Sequence, residues 1–142
     1  MPGINWGRVA LGGSLWFVAL NALWLPAWFF LLRSEWISAL AALGLTRPDI
    51  VASLALWLLG TAIGGMLAIG IYAAVRPRYG AGPKTALYVG VVFWIISALG
   101  PTVWWAHVLQ LPAGLVASTL AAGLIADVVA TVVGAWSYKE ET

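Results

Sequence analysis

Residues 112–137 read PAGLVASTLAAGLIADVVATVVGAWS, a stretch in which Asp127 is the only charged side chain. A helix on a soluble protein sets a polar face opposite its apolar one. This stretch has no charged face, and it exceeds the about 20 residues a helix needs to cross a ~30 Å hydrocarbon layer. It reads as a membrane span. Working outward, the remaining charges bound three similar runs. Arg8 precedes the first, and Arg33, Glu35, Arg47 and Asp49 lie between the first and second. Arg76, Arg78 and Lys84 separate the second from the third, and Lys139, Glu140 and Glu141 follow the fourth. The spans are therefore Val9–Leu32, Ile50–Val75, Thr85–Trp105 and Pro112–Ser137, within a single transmembrane domain, 1–142. They must be helices, because hydrocarbon offers backbone N–H and C=O groups no partner. The sequence predicts an all-α membrane protein, a bundle of four transmembrane helices.

Composition agrees. The chain has 142 residues, 63% hydrophobic and 8% charged, with a mean hydropathy of +0.97. Average domains are about 45–50% apolar and about 25% charged. So few charges cannot cover a water-facing surface, which excludes a soluble enzyme, a disordered tail and a nucleic-acid binder. The absence of Cys removes disulfide, thiolate-metal and thiol-redox chemistry. The first run is too long for a signal-peptide core and lacks a small-x-small cleavage site, so it reads as a helix.

Orientation follows from the Lys and Arg count on each side. Arg8, Arg76, Arg78, Lys84 and Lys139 share one side, against Arg33 and Arg47 on the other. This predicts that both termini are cytoplasmic. The aromatics fit, with Trp6, Tyr79, Trp136 and Tyr138 at the inner interface and Trp28, Trp36, Trp104 and Trp105 at the outer one. Pro48 and Pro112 suit helix starts, where a missing N–H costs little. Arg76-Pro77 is expected to end the second helix, and Pro101 to kink or end the third.

Sliding the first span by 76 residues sets Arg8 on Lys84, Phe17 on Phe93, Asn21 on Ser97 and Trp28 on Trp104. Gly70-Ile-Tyr-Ala falls less well on Gly134-Ala-Trp-Ser, at a different offset. The pattern reads either as a duplicated helical hairpin, with its axis along the membrane normal, or as chance matching of two Ala/Leu-rich strings. Both readings stay open.

Chemistry-bearing residues are few. A carboxylate at mid-bilayer costs about 2.5–3.5 kcal/mol on insertion scales, so Asp127 is a functional candidate by position. At 1.5 Å per residue, Asp127 lies ~15 Å from the cytoplasmic end, Asn21 and Ser97 ~18 Å, and Thr61 ~21 Å. These four predict one intramembrane polar layer drawn from all four helices. It has two readings: a protonatable group that couples to protons or binds a cation, or an Asp held by Asn21 that fixes helix register. Gly60 and Gly64, with Ala122, Ala126, Ala130 and Gly134, read as close-packing ridges. Arg76, Arg78 and Lys84 are candidates for lipid headgroups or a partner, although the positive-inside bias alone accounts for them. Trp16, Trp57 and Trp94 read as lipid-facing fillers or partner contacts. His107 is the sole histidine, too little for a metal or haem site. No nucleophile–base pair, phosphate loop or carboxylate pair is present, so neither catalysis nor a cofactor is expected.

The stretch Arg76-Pro-Arg-Tyr-Gly-Ala-Gly-Pro-Lys-Thr-Ala, with Arg8-Val-Ala-Leu-Gly-Gly and Gly134-Ala-Trp-Ser-Tyr-Lys, resembles a family of uncharacterised small bacterial inner-membrane proteins with four helices. The resemblance spans nearly the whole chain. It implies the topology, a bacterial inner membrane and a carboxylate in the last helix, commonly Glu where Asp127 stands, and it implies no activity. Small multidrug exporters are similar in size but need a Glu in the first span, which here offers only Asn21. The favoured expectation is an accessory or structural subunit of a bacterial membrane complex, or a self-associating bundle. The alternative is a small transporter or channel using Asp127. Expected partners are the lipid bilayer and either further copies or other membrane subunits, with no nucleic acid.

Overall fold

A computed structural model describes residues 3–46 and 49–139. Arg47, Pro48, Glu140 and Glu141 lie outside the described residues. Four helices are long and apolar enough to cross a membrane: α1, Trp6–Ala42; α2, Ile50–Tyr79; α3, Pro83–Leu109; and α4, Ala113–Trp136. Among the described residues all regular structure is helical. The protein is an all-α, four-helix transmembrane bundle.

The helix ends follow local chemistry. The Asn5 side chain accepts from Arg8 N (3.0 Å) at the start of α1. Asp49 accepts from Val51 N (2.7 Å) and Ala52 N (3.0 Å) at the start of α2. Each satisfies donors that no helical carbonyl can reach. Gly82, at φ 129°, turns the chain into Pro83, the first residue of α3.

Two boundaries differ from the sequence expectation. α1 runs past Leu32 and takes in Arg33 and Glu35, because charge does not break a helix; the chain leaves it just before Gly44, at φ 72°. At 1.5 Å per residue α1 is ~55 Å long, well beyond a ~30 Å hydrocarbon core. Its Arg33 guanidinium sits 5.8 Å from the Phe29 ring centroid, a cation–π contact at the far end of the span. Pro77 does not end α2. A proline in the last turn forfeits a single bond, and the helix closes at Gly80, φ 85°, whose N–H donates to Arg76 O (2.8 Å). At Pro101, where the sequence allows a kink or an end, α3 runs on. The helix absorbs it through a widened π-turn over Ile95–Leu99, where Gly100 N–H donates to Ile95 O five residues back. A second π-turn, Trp28–Leu32, interrupts α1. The 76-residue offset does not carry one π-turn onto the other.

Around the bundle, α1 lies against α2 and α4, and α3 lies against α4 and more loosely against α2. The packing is uneven along the axis. Val9, Ile69, Tyr72, Ala73, Ala86, Ala130 and Tyr138 form a dense core at the end that holds the first and last described residues. A Cβ at Gly12 would lie 2.7 Å from Gly134 O, and one at Gly134 2.6 Å from Gly12 O, so only bare backbone lets α1 and α4 meet there. At the opposite end the bundle splays. α2 has no buried residue before Thr61, and α3 has none from Ile95 to Leu109.

Several aromatics take other places than expected. Trp6, Trp104, Trp105 and Trp136 are exposed, as belt residues should be. Tyr138 is instead core: it packs edge-on against Tyr72 (6.1 Å, 87°), its hydroxyl accepts from Asn5 N (3.3 Å), and Arg76 stacks over its ring at 5.5 Å. Arg76 is thus engaged within the bundle, whereas Arg78 and Lys84 are exposed. Trp36 is tied to α4, donating from Nε1 to Thr119 Oγ1 (3.0 Å).

Candidate functional site

Asp127 lies on the inner face of α4, between Ala126 and Ala130, and is only 7% exposed. Small residues on that face direct it inward, because a larger neighbour would push α4 away from α1 and α3. Its carboxylate has no hydrogen bond or ion pair among the described residues. It borders a cavity of about 490 Å³ that residues of all four helices line, at the level where the bundle begins to splay. No Lys, Arg or His lines this cavity, and none occurs in α4.

The expected polar layer forms only in part. Thr61 and Ser97 line the same cavity as Asp127. Asn21 does not hold Asp127. Its Nδ2 donates to Phe17 O (2.9 Å) and Thr61 Oγ1 (3.3 Å), and its Oδ1 accepts from Trp57 Nε1 (2.9 Å). The amide thereby meets needs of α1 and α2 alone. The reading in which Asn21 pairs with Asp127 to fix register is corrected by this geometry, since a Trp indole reaches the amide oxygen first.

Two tryptophans expected to face lipid are structural. Trp16 is 2% exposed, and its Nε1 donates to Thr131 Oγ1 (3.0 Å), whose own hydroxyl donates to Asp127 O (2.7 Å). Trp57 stacks on Trp24 with centroids 5.4 Å apart and planes 20° apart. Trp16 meets Phe93 edge-on at 5.6 Å and 84°. All four rings line the cavity. Their Thr, Asn and small-residue partners on facing helices were the signal available in the sequence, and it becomes readable only once helix order is known.

The third in-span tryptophan differs. Trp94 Nε1 is buried with no hydrogen-bond partner, against Gly123, one turn before Asp127. An unmet buried donor costs about 1–3 kcal/mol. Trp94→Phe removes it together with part of the indole ring, and the void offsets the relieved donor, so thermal unfolding in detergent should show stability unchanged within about 1 kcal/mol. A clear loss of stability would mean that the indole N–H is satisfied in the membrane.

Of the glycine ridge, Gly64 lies 3.5 Å, measured from a would-be Cβ, from the Phe93 and Trp16 rings, and Ala126, Ala130 and Gly134 are buried as expected; Ala122 is half-buried. Gly60 departs from the expectation. A Cβ there would meet nothing within 4 Å, and the residue opens onto the cavity rather than onto a helix. The tight glycines on this helix pair are Gly65 and Gly13, whose backbones touch. Among the described residues, no group of three or more His, Cys, Asp or Glu is placed to hold a metal ion.

No protein-family model, curated protein or solved structure matches the chain.

Proposed function

We propose that this chain is a small multi-pass membrane protein that binds a cation at Asp127 and carries it across the bilayer, as a transporter or channel. The observation that carries the reading is a carboxyl group, nine-tenths buried within a span, that borders a cavity and has no partner among the described residues. A structural Asp at that depth needs a hydrogen bond or a counter-charge to offset its desolvation. Ionised, Asp127 lacks a cation; protonated, it lacks an acceptor. A ligand that supplies the charge meets the first need, and a proton exchanged for that ligand gives a coupling step at one group. Because residues of a single chain line the cavity, this reading needs no second copy, and it is favoured over an accessory subunit. The positive-inside count supports a cytoplasmic position for both termini. The Arg76–Ala86 loop resemblance supports a bacterial inner membrane.

The test uses tetramethylammonium, a small cation whose charge does not titrate, with purified protein in liposomes. Asp127→Asn keeps the side-chain size and removes the charge. Uptake should fall at least about tenfold, the equivalent of 1.4 kcal/mol, while Asp127→Glu retains most of it. Acid should also weaken wild-type binding, because a protonated carboxyl cannot pair with the cation. No other titratable side chain lines the cavity from α1, α2, α3 or α4, so that pH dependence should vanish in Asp127→Asn. Equal uptake by wild type and a normally inserted Asp127→Asn would overturn the reading. Stoichiometric recovery of the chain with a larger complex after gentle extraction would restore the accessory-subunit reading.

A further inference from the structure

We propose that the ligand is an organic cation with an apolar or aromatic body, and that it reaches Asp127 sideways from the bilayer between α2 and α3. This rests on the reading of Asp127 as a cation site. Three observations give the class. The first is size: the cavity, about 490 Å³, is far larger than a bare ion needs and falls within the about 300–1,000 Å³ of sites for drug-sized ligands.

The second is wall chemistry. Trp16, Trp24, Trp57 and Phe93 supply ring surface, and π-faces attract cations. Three of the cavity's four lining hydroxyls are oriented as acceptors. Thr61 Oγ1 donates back to Trp57 O (3.0 Å), Ser97 Oγ to Phe93 O (2.8 Å) and Thr119 Oγ1 to Leu115 O (2.8 Å). The Trp16 and Trp57 N–H groups are held by Thr131 and Asn21. These hydroxyls and indoles have no hydrogen left to offer an anion, and Asp127 would repel one. A cation with a bulky, apolar body suits such a wall, its body against the rings and its charge at Asp127.

The third is the opening. α2 and α3 are the loosest of the neighbouring pairs. Between them Gly60, Leu67, Ile96 and Ser97 both line the cavity and lie exposed on the outside of the bundle. The π-turn of α3 holds Ile96 and Ser97 at this gap, and Gly60 leaves it unobstructed. The surface in question faces hydrocarbon, where a lipophilic cation concentrates.

The probe is tetraphenylphosphonium, with binding read by equilibrium dialysis against protein in nanodiscs. Wild type should bind it saturably. Gly60→Leu places a side chain in the opening, at a position where a Cβ meets nothing within 4 Å, and should weaken binding at least tenfold, as should Asp127→Asn. Gly70→Leu is the control: its Cβ also meets nothing within 4 Å, it lies away from the cavity, and binding should be unchanged. Circular dichroism and gel filtration check that each variant folds. Unchanged affinity in a folded Gly60→Leu would overturn the lateral route. Absence of saturable binding alongside Asp127-dependent tetramethylammonium flux would overturn the ligand class and leave the cation site standing. Absence of both would remove the cation site as well.

Discussion

Gly65→Ala is expected to destabilise the bundle by about 3 kcal/mol, the upper end of the range for overpacking. A Cβ at Gly65 would fall on the carbonyl of Gly13 and would also lie 3.0 Å from the Trp16 ring. A flexible side chain can swing away from a new methyl group, but a helical backbone cannot. α1 and α2 would have to separate, and Trp16 would be displaced from Thr131. In hydrocarbon, helices gain little from burying apolar surface, because lipid tails are equally apolar. Association rests on close van der Waals contact, which falls steeply with a gap of even 0.5–1 Å. Gly60→Ala is the paired control five residues earlier on the same helix. It meets no atom within 4 Å, and removing a flexible glycine favours the helix by roughly 0.5–1 kcal/mol. Unfolding of both variants in mixed micelles measures the difference directly. Equal stabilities would mean that the α1–α2 contact is looser than the geometry gives.

That pair of glycines also marks what the sequence could and could not disclose. The number of spans was legible because hydrocarbon thickness and backbone hydrogen bonding act on composition alone. Asp127 was legible for the same reason, as a charge where charge is expensive. Which glycine touches a neighbour was not, since Gly60-x3-Gly64 and Gly64-Gly65 look alike until helix rotation is fixed. The polar layer failed in the same way. Depth placed Asn21, Thr61, Ser97 and Asp127 at similar heights, but height says nothing of direction, and Asn21 turns toward Trp57 rather than Asp127. The helix ends were misjudged where charge or proline was taken as a stop. Arg33 and Pro77 sit inside helices, and α1, α2 and α3 end at Gly44, Gly80 and Gln110, which accept positive φ.

Trp16→Ala is expected to cost about 3–5 kcal/mol, the range for emptying a fully enclosed large aromatic. Trp16 is the largest side chain that the bundle buries completely. It fills the space between the Gly13–Gly65 contact and the Asp127 cavity, so its loss joins a packed core to an open cleft. Trp16→Phe separates packing from hydrogen bonding. It keeps most of the ring and removes the bond to Thr131 Oγ1. Polar contacts between membrane helices average about 0.6 kcal/mol, so this variant should lose far less stability than alanine. Its effect on Asp127 should be larger than that figure suggests. Thr131 bonds both Trp16 and the Asp127 carbonyl, which ties the backbone that carries the carboxylate to the α1 ring forming the cavity floor. Trp16→Phe should therefore shift cation affinity more than a comparably mild change at Val89, which is equally buried but away from the cavity. Matched affinities for Trp16→Phe and Val89→Ala, at matched stability, would show that α1 holds the bundle together without positioning the site.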